Sequence, residues 1–67
     1  MTIGEYMRQA REDIGLSRPQ LAGLSGVSEN AIGTYERGES HPGVLALIAL
    51  ADAMEISIDD YIGHDVK

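Results

Sequence analysis

Hydrophobic residues recur at helical spacing in the first part of the chain, and each stretch opens with residues that can cap a helix. The first stretch has apolar positions three or four residues apart, as one face of a helix requires: Ile3, Tyr6, Met7, Ala10 and Ile14. Thr2 and Glu5 have the spacing of a capping box, and Gly15 can end the helix in the left-handed conformation. A second box, Ser17 with Gln20, predicts another helix of about eight residues.

A turn and two further helices follow from the same kind of pattern. Gly26 suits a turn residue with positive φ. Ser28 then caps a third helix, which Gly38 ends. Pro42 opens a fourth helix that runs through Met54. Because this helix contains an uninterrupted apolar run, we expect it to be the most buried element.

The last part of the chain predicts one more helix, which Ser57 caps. The alternation of apolar and polar residues that is typical of strands is missing from the sequence. The predicted fold is therefore all-α: a compact bundle of five helices that forms a single domain over residues 1–67.

Composition narrows the class of protein. The chain has 67 residues and no cysteine, so neither a disulfide nor a thiolate metal site is expected, and we expect a cytoplasmic protein. The longest apolar run, Val44–Ala51, is far shorter than the roughly 20 residues that cross a bilayer. No metal, cofactor or small-molecule ligand is expected.

The charge is strongly acidic, at −6. An acidic chain repels nucleic acid at long range. All four arginines, however, lie in residues 1–40, whereas residues 41–67 carry one lysine against five acidic residues. The basic groups are thus concentrated in one part of the chain.

Residues 18–37 have the spacing of two short helices that cross at a tight turn. Such a crossing needs a small residue at the contact, here Ala22, and a turn residue, here Gly26. Apolar anchors for the second helix follow at Val27, Ile32 and Tyr35. The outward positions of that helix are small or polar and free to meet a groove: Glu29, Asn30, Gly33 and Thr34.

This stretch and the chain around it resemble the Cro/cI-like helix-turn-helix family, the XRE-type or lambda-repressor-like DNA-binding domains. The matching segments are Ala10-Arg11, Leu21-Ala22, Gly26-Val27-Ser28, Tyr35-Glu36-Arg37-Gly38 and Ile56–Tyr61. The resemblance covers nearly the whole chain. It implies a transcriptional regulator, most plainly a repressor, whose third helix enters the major groove of a near-palindromic operator as part of a homodimer.

The resemblance also implies roles for individual residues. Base-reading positions are Glu29, Asn30 and Thr34. Residues placed to contact the DNA backbone are Arg18, Gln20, Ser28, Arg37 and Ser40. Arg11 and Glu36 are expected to form a structural ion pair between the first and third helices.

Two positions of the helix-turn-helix depart from the family pattern. Arg18 stands where the family commonly has Gln, and Gly33 leaves the middle of the third helix without a side chain.

A dimer patch is expected at Leu45, Ala49, Ile58, Tyr61 and Ile62. The alternative is that the fifth helix merely covers the core.

Enzymatic activity finds no support in the sequence. Asp59 and Asp60 are adjacent on a predicted helix and point about 100° apart, so they cannot face each other as a catalytic pair. The alternative to a DNA-binding regulator is a protein-interaction module that keeps the fold while its acidic charge leaves little or no DNA binding.

Overall fold

The computed structural model of the chain describes residues 2–56. Four helices occupy this range: α1 (Ile3–Ile14), α2 (Arg18–Ser25), α3 (Glu29–Glu36) and α4 (Val44–Met54). The described range contains no strand, and none of its helices is long and apolar enough to cross a membrane. The prediction of an all-α fold is confirmed, but the prediction of five helices is wrong, because the described chain has four. The segment predicted as the fifth helix, 57–62, lies outside the described residues.

Both predicted capping boxes are present and define the starts of α1 and α2. The hydroxyl of Thr2 accepts from the backbone N–H of Glu5 at 3.1 Å, and the Glu5 carboxylate accepts from the N–H of Thr2 at 3.0 Å. Ser17 and Gln20 make the same reciprocal pair at 3.2 and 2.7 Å. Gly15 ends α1 in the left-handed region with φ 87°. Local hydrogen bonding thus fixes these boundaries as the sequence predicts.

The turn between α2 and α3 depends on Gly26. Its φ of 77° lies in the left-handed region, and its N–H donates to the carbonyl of Ala22 at 2.9 Å. A β-branched residue is strongly disfavoured at such a φ. Ser28 then begins α3 by accepting from the N–H of Ala31 at 3.1 Å. The predicted turn is therefore the one that sets the angle between α2 and α3.

The core takes one fully buried side chain from each helix. These side chains are Met7, Leu21, Ile32 and Leu50. Helix α2 packs against α3 and α4, and α1 packs against the same two helices. Burying each such side chain stabilises the fold by about 1.5–3 kcal/mol. All four helices are thus joined through one small core that positions α3.

Gly4 allows α1 to approach the end of α3 closely. A Cβ at Gly4 would run into the backbone carbonyl oxygen of Tyr35 and would lie 3.2 Å from that of Glu36. The neighbours are backbone atoms and cannot move aside as a flexible side chain could. The main chains of the two helices therefore meet here without an intervening side chain.

Helix α4 is not the most buried element, so that prediction is wrong. Val44 and Leu45 near its start are 72% and 83% exposed, and Ile48 is exposed as well. Its buried side chains begin at Leu50 and end at Met54. An apolar sequence on all sides predicts burial only where other helices cover it. The buried side chains of α4 lie in its second half, and in its first half the half-buried Leu47 packs against the core.

Candidate nucleic-acid interface

A buried carboxylate at the end of α3 organises the helix-turn-helix. The side chain of Glu36 is 1% exposed. It accepts from Nε of Arg11 at 2.8 Å and from Nη2 of the same side chain at 3.1 Å. Nη1 of Arg11 donates to the backbone carbonyl of Leu16 at 2.9 Å. Arg11 therefore joins α1 to α3 and also fastens the loop that precedes α2.

The same carboxylate holds a second arginine. Nε of Arg18, the first residue of α2, donates to Oε1 of Glu36 at 3.0 Å, and the Arg18 side chain is 38% exposed. Burial alone would raise the pKa of Glu36, but the hydrogen bonds from the two guanidinium groups outweigh it and hold the pKa below its usual value. Glu36 is thus a charged acceptor shared by Arg11 in the interior and Arg18 at the surface.

Arg37, directly after α3, has its own carboxylate partner. Its Nε and Nη2 donate to Glu39 at 2.9 and 3.2 Å, and both side chains are exposed. The hydrogen bond from Arg37 lowers the pKa of the Glu39 carboxyl. Because solvent screens an exposed pair of this kind, the pair is weak. Glu39 therefore positions the Arg37 side chain but leaves it able to bind another anion.

The start of α3 presents part of the polar face that the sequence predicts, but Gly33, which was expected on that face, is buried. Glu29 and Asn30 are exposed in its first turn. Thr34 is half-buried, and its hydroxyl donates to the carbonyl of Ala31 at 2.8 Å and accepts from the Ser40 hydroxyl at 3.2 Å. Ser40 is itself exposed. The Thr34 side chain therefore has less freedom to rearrange than those of Glu29 and Asn30.

The other residues expected at the DNA backbone also serve the fold. Gln20 completes the capping box of α2, and Ser28 caps α3. Both side chains are exposed at the starts of their helices. A helix N-terminus presents backbone N–H groups and a positive dipole end, which suit a phosphate.

The structure describes only part of the expected dimer patch. Leu45 is exposed and Ala49 is half-buried on α4. Ile58, Tyr61 and Ile62 lie outside the described residues. Val44 and Ile48 add exposed apolar surface that the sequence interpretation did not include.

Sequence reasoning missed the pairing of both surface arginines with carboxylates. Glu39 lies two residues after Arg37 in the loop that follows α3, where neither the helical nor the strand periodicity applies, so the sequence offered no signal. Arg18 meets Glu36 only through the tertiary crossing of α2 and α3. In residues 2–56, no three acidic or histidine side chains come together as a metal site.

The arrangement of α2, turn and α3 defines a helix-turn-helix domain, and comparison with known proteins gives the family. The helix-turn-helix family model (HTH_3) matches residues 7–61. The chain belongs to this family of Cro/cI-like domains. RstR, the transcriptional repressor of cryptic phage CTXphi in Vibrio cholerae, is 38% identical over 64 residues, which are 96% of this chain and 57% of RstR.

Two solved structures show the same fold in similar proteins. The c2 repressor of Salmonella phage P22, in complex with a synthetic operator, has a TM-score of 0.85 at 33% identity, covering 91% of this chain and 92% of that one. C.AhdI, a restriction-modification controller protein from Aeromonas hydrophila, has a TM-score of 0.85 at 32% identity, covering 88% and 89%. The chain spans about half the length of RstR and less than a third of the full C2 repressor.

Proposed function

We propose that this chain is a sequence-specific, DNA-binding transcriptional regulator, a repressor that acts in the cytoplasm on a near-palindromic operator. The observation that carries the proposal is the exposed polar start of α3, held at a fixed angle to α2 by Gly26 and by the shared Glu36 carboxylate. The likeness to the operator-bound P22 c2 repressor supports it. In this geometry the first turns of α3 enter the major groove.

Base reading is assigned to the exposed face of α3. Asn30 can form a bidentate pair with adenine, and Glu29 can accept from the amino group of cytosine. Thr34 can contact a base or a thymine methyl, within the limits that its bonds to Ala31 and Ser40 set.

The backbone contacts come from residues that flank the two helix starts and from the end of α3. These residues are Arg18, Gln20, Ser28, Arg37 and Ser40. Arg18 and Arg37 supply charge, which makes binding dependent on salt through the release of counterions. Gln20 and Ser28 lie where the dipoles of α2 and α3 favour a phosphate.

A homodimer would place two copies of α3 on one face of the duplex, about 34 Å apart. The exposed apolar side chains at the start of α4, Val44, Leu45 and Ile48, support self-association through this region. The further residues assigned to the patch are Ala49, Ile58, Tyr61 and Ile62.

Selection from a random-sequence duplex pool, followed by a gel shift at about 50 mM salt, tests the proposal. We expect a near-palindromic sequence to be recovered, and we expect Asn30→Ala to relax preference at one base pair per half-site, at a cost of ~1–3 kcal/mol there. Gln9→Ala on α1 is the control, because Gln9 is exposed and bonds to Asp13 of the same helix. No binding to any duplex by the folded protein would refute the proposal.

A protein-interaction module is the second candidate, and one observation favours it. Arg18 and Arg37 are each already paired with a carboxylate, in a chain of net charge −6. If those pairs outcompete phosphate, the exposed face of α3 is left to contact a protein. Failure of the gel shift, together with a retained melting transition, would favour this candidate.

A further inference from the structure

Two guanidinium groups converge over Gly33, in the middle of α3. A Cβ at this position would lie 2.9 Å from Nη1 of Arg37 and 3.8 Å from Nη1 of Arg18. One arginine comes from the start of α2 and the other from the residue after α3. The missing side chain of Gly33 is therefore what lets Arg37 lie across the helix and approach Arg18.

Within residues 2–56, the guanidinium nitrogens nearest to Gly33 make no hydrogen bond. Arg18 gives its Nε to Glu36, and Arg37 gives its Nε and Nη2 to Glu39. Nη1 of each arginine makes no hydrogen bond to another of the described residues 2–56. Each arginine is thus held by one carboxylate and keeps a donor beside Gly33.

Two guanidinium groups that both come within 4 Å of one Cβ position repel each other in the absence of an anion. Glu36 and Glu39, each paired with one of the two arginines, offset part of that repulsion, and an anion beside Gly33 would offset more of it. A phosphate has several acceptor oxygens and accepts from two guanidinium groups at once, with strong charge-assisted bonds.

We propose that Arg18 and Arg37 form a clamp for a single backbone phosphate of DNA, and that Gly33 is the positioning residue that makes the clamp possible. The proposal rests on the proposed DNA-binding function and adds to it that the two arginines share one phosphate instead of neutralising two. It also gives Gly33 a role in DNA binding, although Gly33 has no side chain that could read a base.

Gly33→Ala is the first test, because its two expected effects have opposite signs. Alanine is favoured over glycine inside a helix, and the atom that must yield is the end of a flexible side chain, so the Tm should rise by roughly 4–8 °C. The displaced Arg37 leaves the clamp, so affinity for the recovered duplex should fall by at least about tenfold, the value of one charge-assisted hydrogen bond.

Gly23→Ala is the matched control, since Gly23 lies inside α2 and an added Cβ there meets nothing within 4 Å. It should raise the Tm in the same way and leave the affinity unchanged. If the wild type binds the duplex and Gly33→Ala binds it with equal affinity, the clamp is overturned and the proposed function stays intact. No duplex binding by the wild type would overturn both.

The salt dependence of binding distinguishes a shared phosphate from two separate ones. If Arg18 and Arg37 share one phosphate, the double variant Arg18→Ala/Arg37→Ala should reduce the log–log salt slope by about 0.9 per protomer. Either single variant should then reduce it by less than that. A reduction of about 1.8 per protomer in the double variant would show two separate phosphates and overturn the proposal.

Titration with inorganic phosphate, followed through the Nε–H NMR signals of Arg18 and Arg37, separates the two sources of phosphate. We expect both signals to shift with duplex DNA at stoichiometric amounts and only weakly with inorganic phosphate. Saturation by low-millimolar inorganic phosphate, with signals that duplex DNA leaves unchanged, would assign the site to a free anion and overturn the DNA clamp.

Discussion

Replacing Glu36 by alanine should destabilise the whole domain, because one carboxylate serves two arginines. The side chain is 1% exposed and accepts three hydrogen bonds, at 2.8, 3.1 and 3.0 Å. Arg18 can turn into solvent when its partner is lost. Arg11 cannot do so easily, because it is buried and its Nη1 is bonded to the carbonyl of Leu16.

The magnitude follows from leaving a buried charge unpaired. Removing one member of a buried ion pair costs about 3–5 kcal/mol. A domain of this size has a total free energy of unfolding of roughly 3–10 kcal/mol, at 0.05–0.15 kcal/mol per residue. The Glu36→Ala protein should therefore be largely unfolded or only marginally stable at 25 °C.

Urea unfolding followed by circular dichroism measures the effect, with Glu39→Ala as the matched control. Glu39 also pairs with an arginine, but both partners are exposed, so its loss should leave the midpoint nearly unchanged. Arg11→Met/Glu36→Leu should recover much of the lost stability, because two apolar side chains can replace a buried pair. Equal midpoints for Glu36→Ala and Glu39→Ala would refute the reasoning.

Four further outcomes test the fold and the surface. Because the pKa of Glu36 lies below its usual 4.5, its ion pair with the arginines stabilises the fold above pH 4.5. The Tm should therefore fall as the pH is lowered through the depressed pKa of Glu36. Glu36→Gln should flatten this fall in a pH series of thermal melts. Gly4→Ala should lower the Tm strongly in calorimetry, since the new Cβ meets the backbone of Tyr35. Gly26→Val should cost a few kcal/mol in urea unfolding, because valine is disfavoured at φ 77°. Leu45→Glu should weaken self-association in sedimentation equilibrium and leave the Tm within a few degrees, and an unchanged dimer would place the interface elsewhere.

Local signals predicted the first three helices well. Each of their starts is fixed by a capping side chain that bonds to a residue three positions later, so both members of the contact lie in one short stretch of sequence. The turn at Gly26 is similarly local, because positive φ at that position requires a residue of this type.

The features that the sequence analysis misjudged or missed all depend on distant parts of the chain. The exposure of Val44 and Leu45 is decided by where the other helices cover α4, which an apolar run cannot reveal. Gly4 lies in the first turn of α1, between the two members of a capping box, and only the crossing with α3 shows why it must lack a side chain. The pairing of Arg18 with Glu36 spans 18 residues and follows from the angle between α2 and α3.

If the proposed dimer forms through the exposed apolar start of α4, self-association and DNA binding should respond in opposite ways to ionic strength. Contacts between Val44 and Leu45 of two copies must overcome the repulsion between chains of charge −6, and added salt screens that repulsion. Added salt also weakens every contact with phosphate. Operator occupancy at a fixed protein concentration should therefore pass through a maximum at intermediate salt: below it the copies repel each other, and above it the DNA releases them.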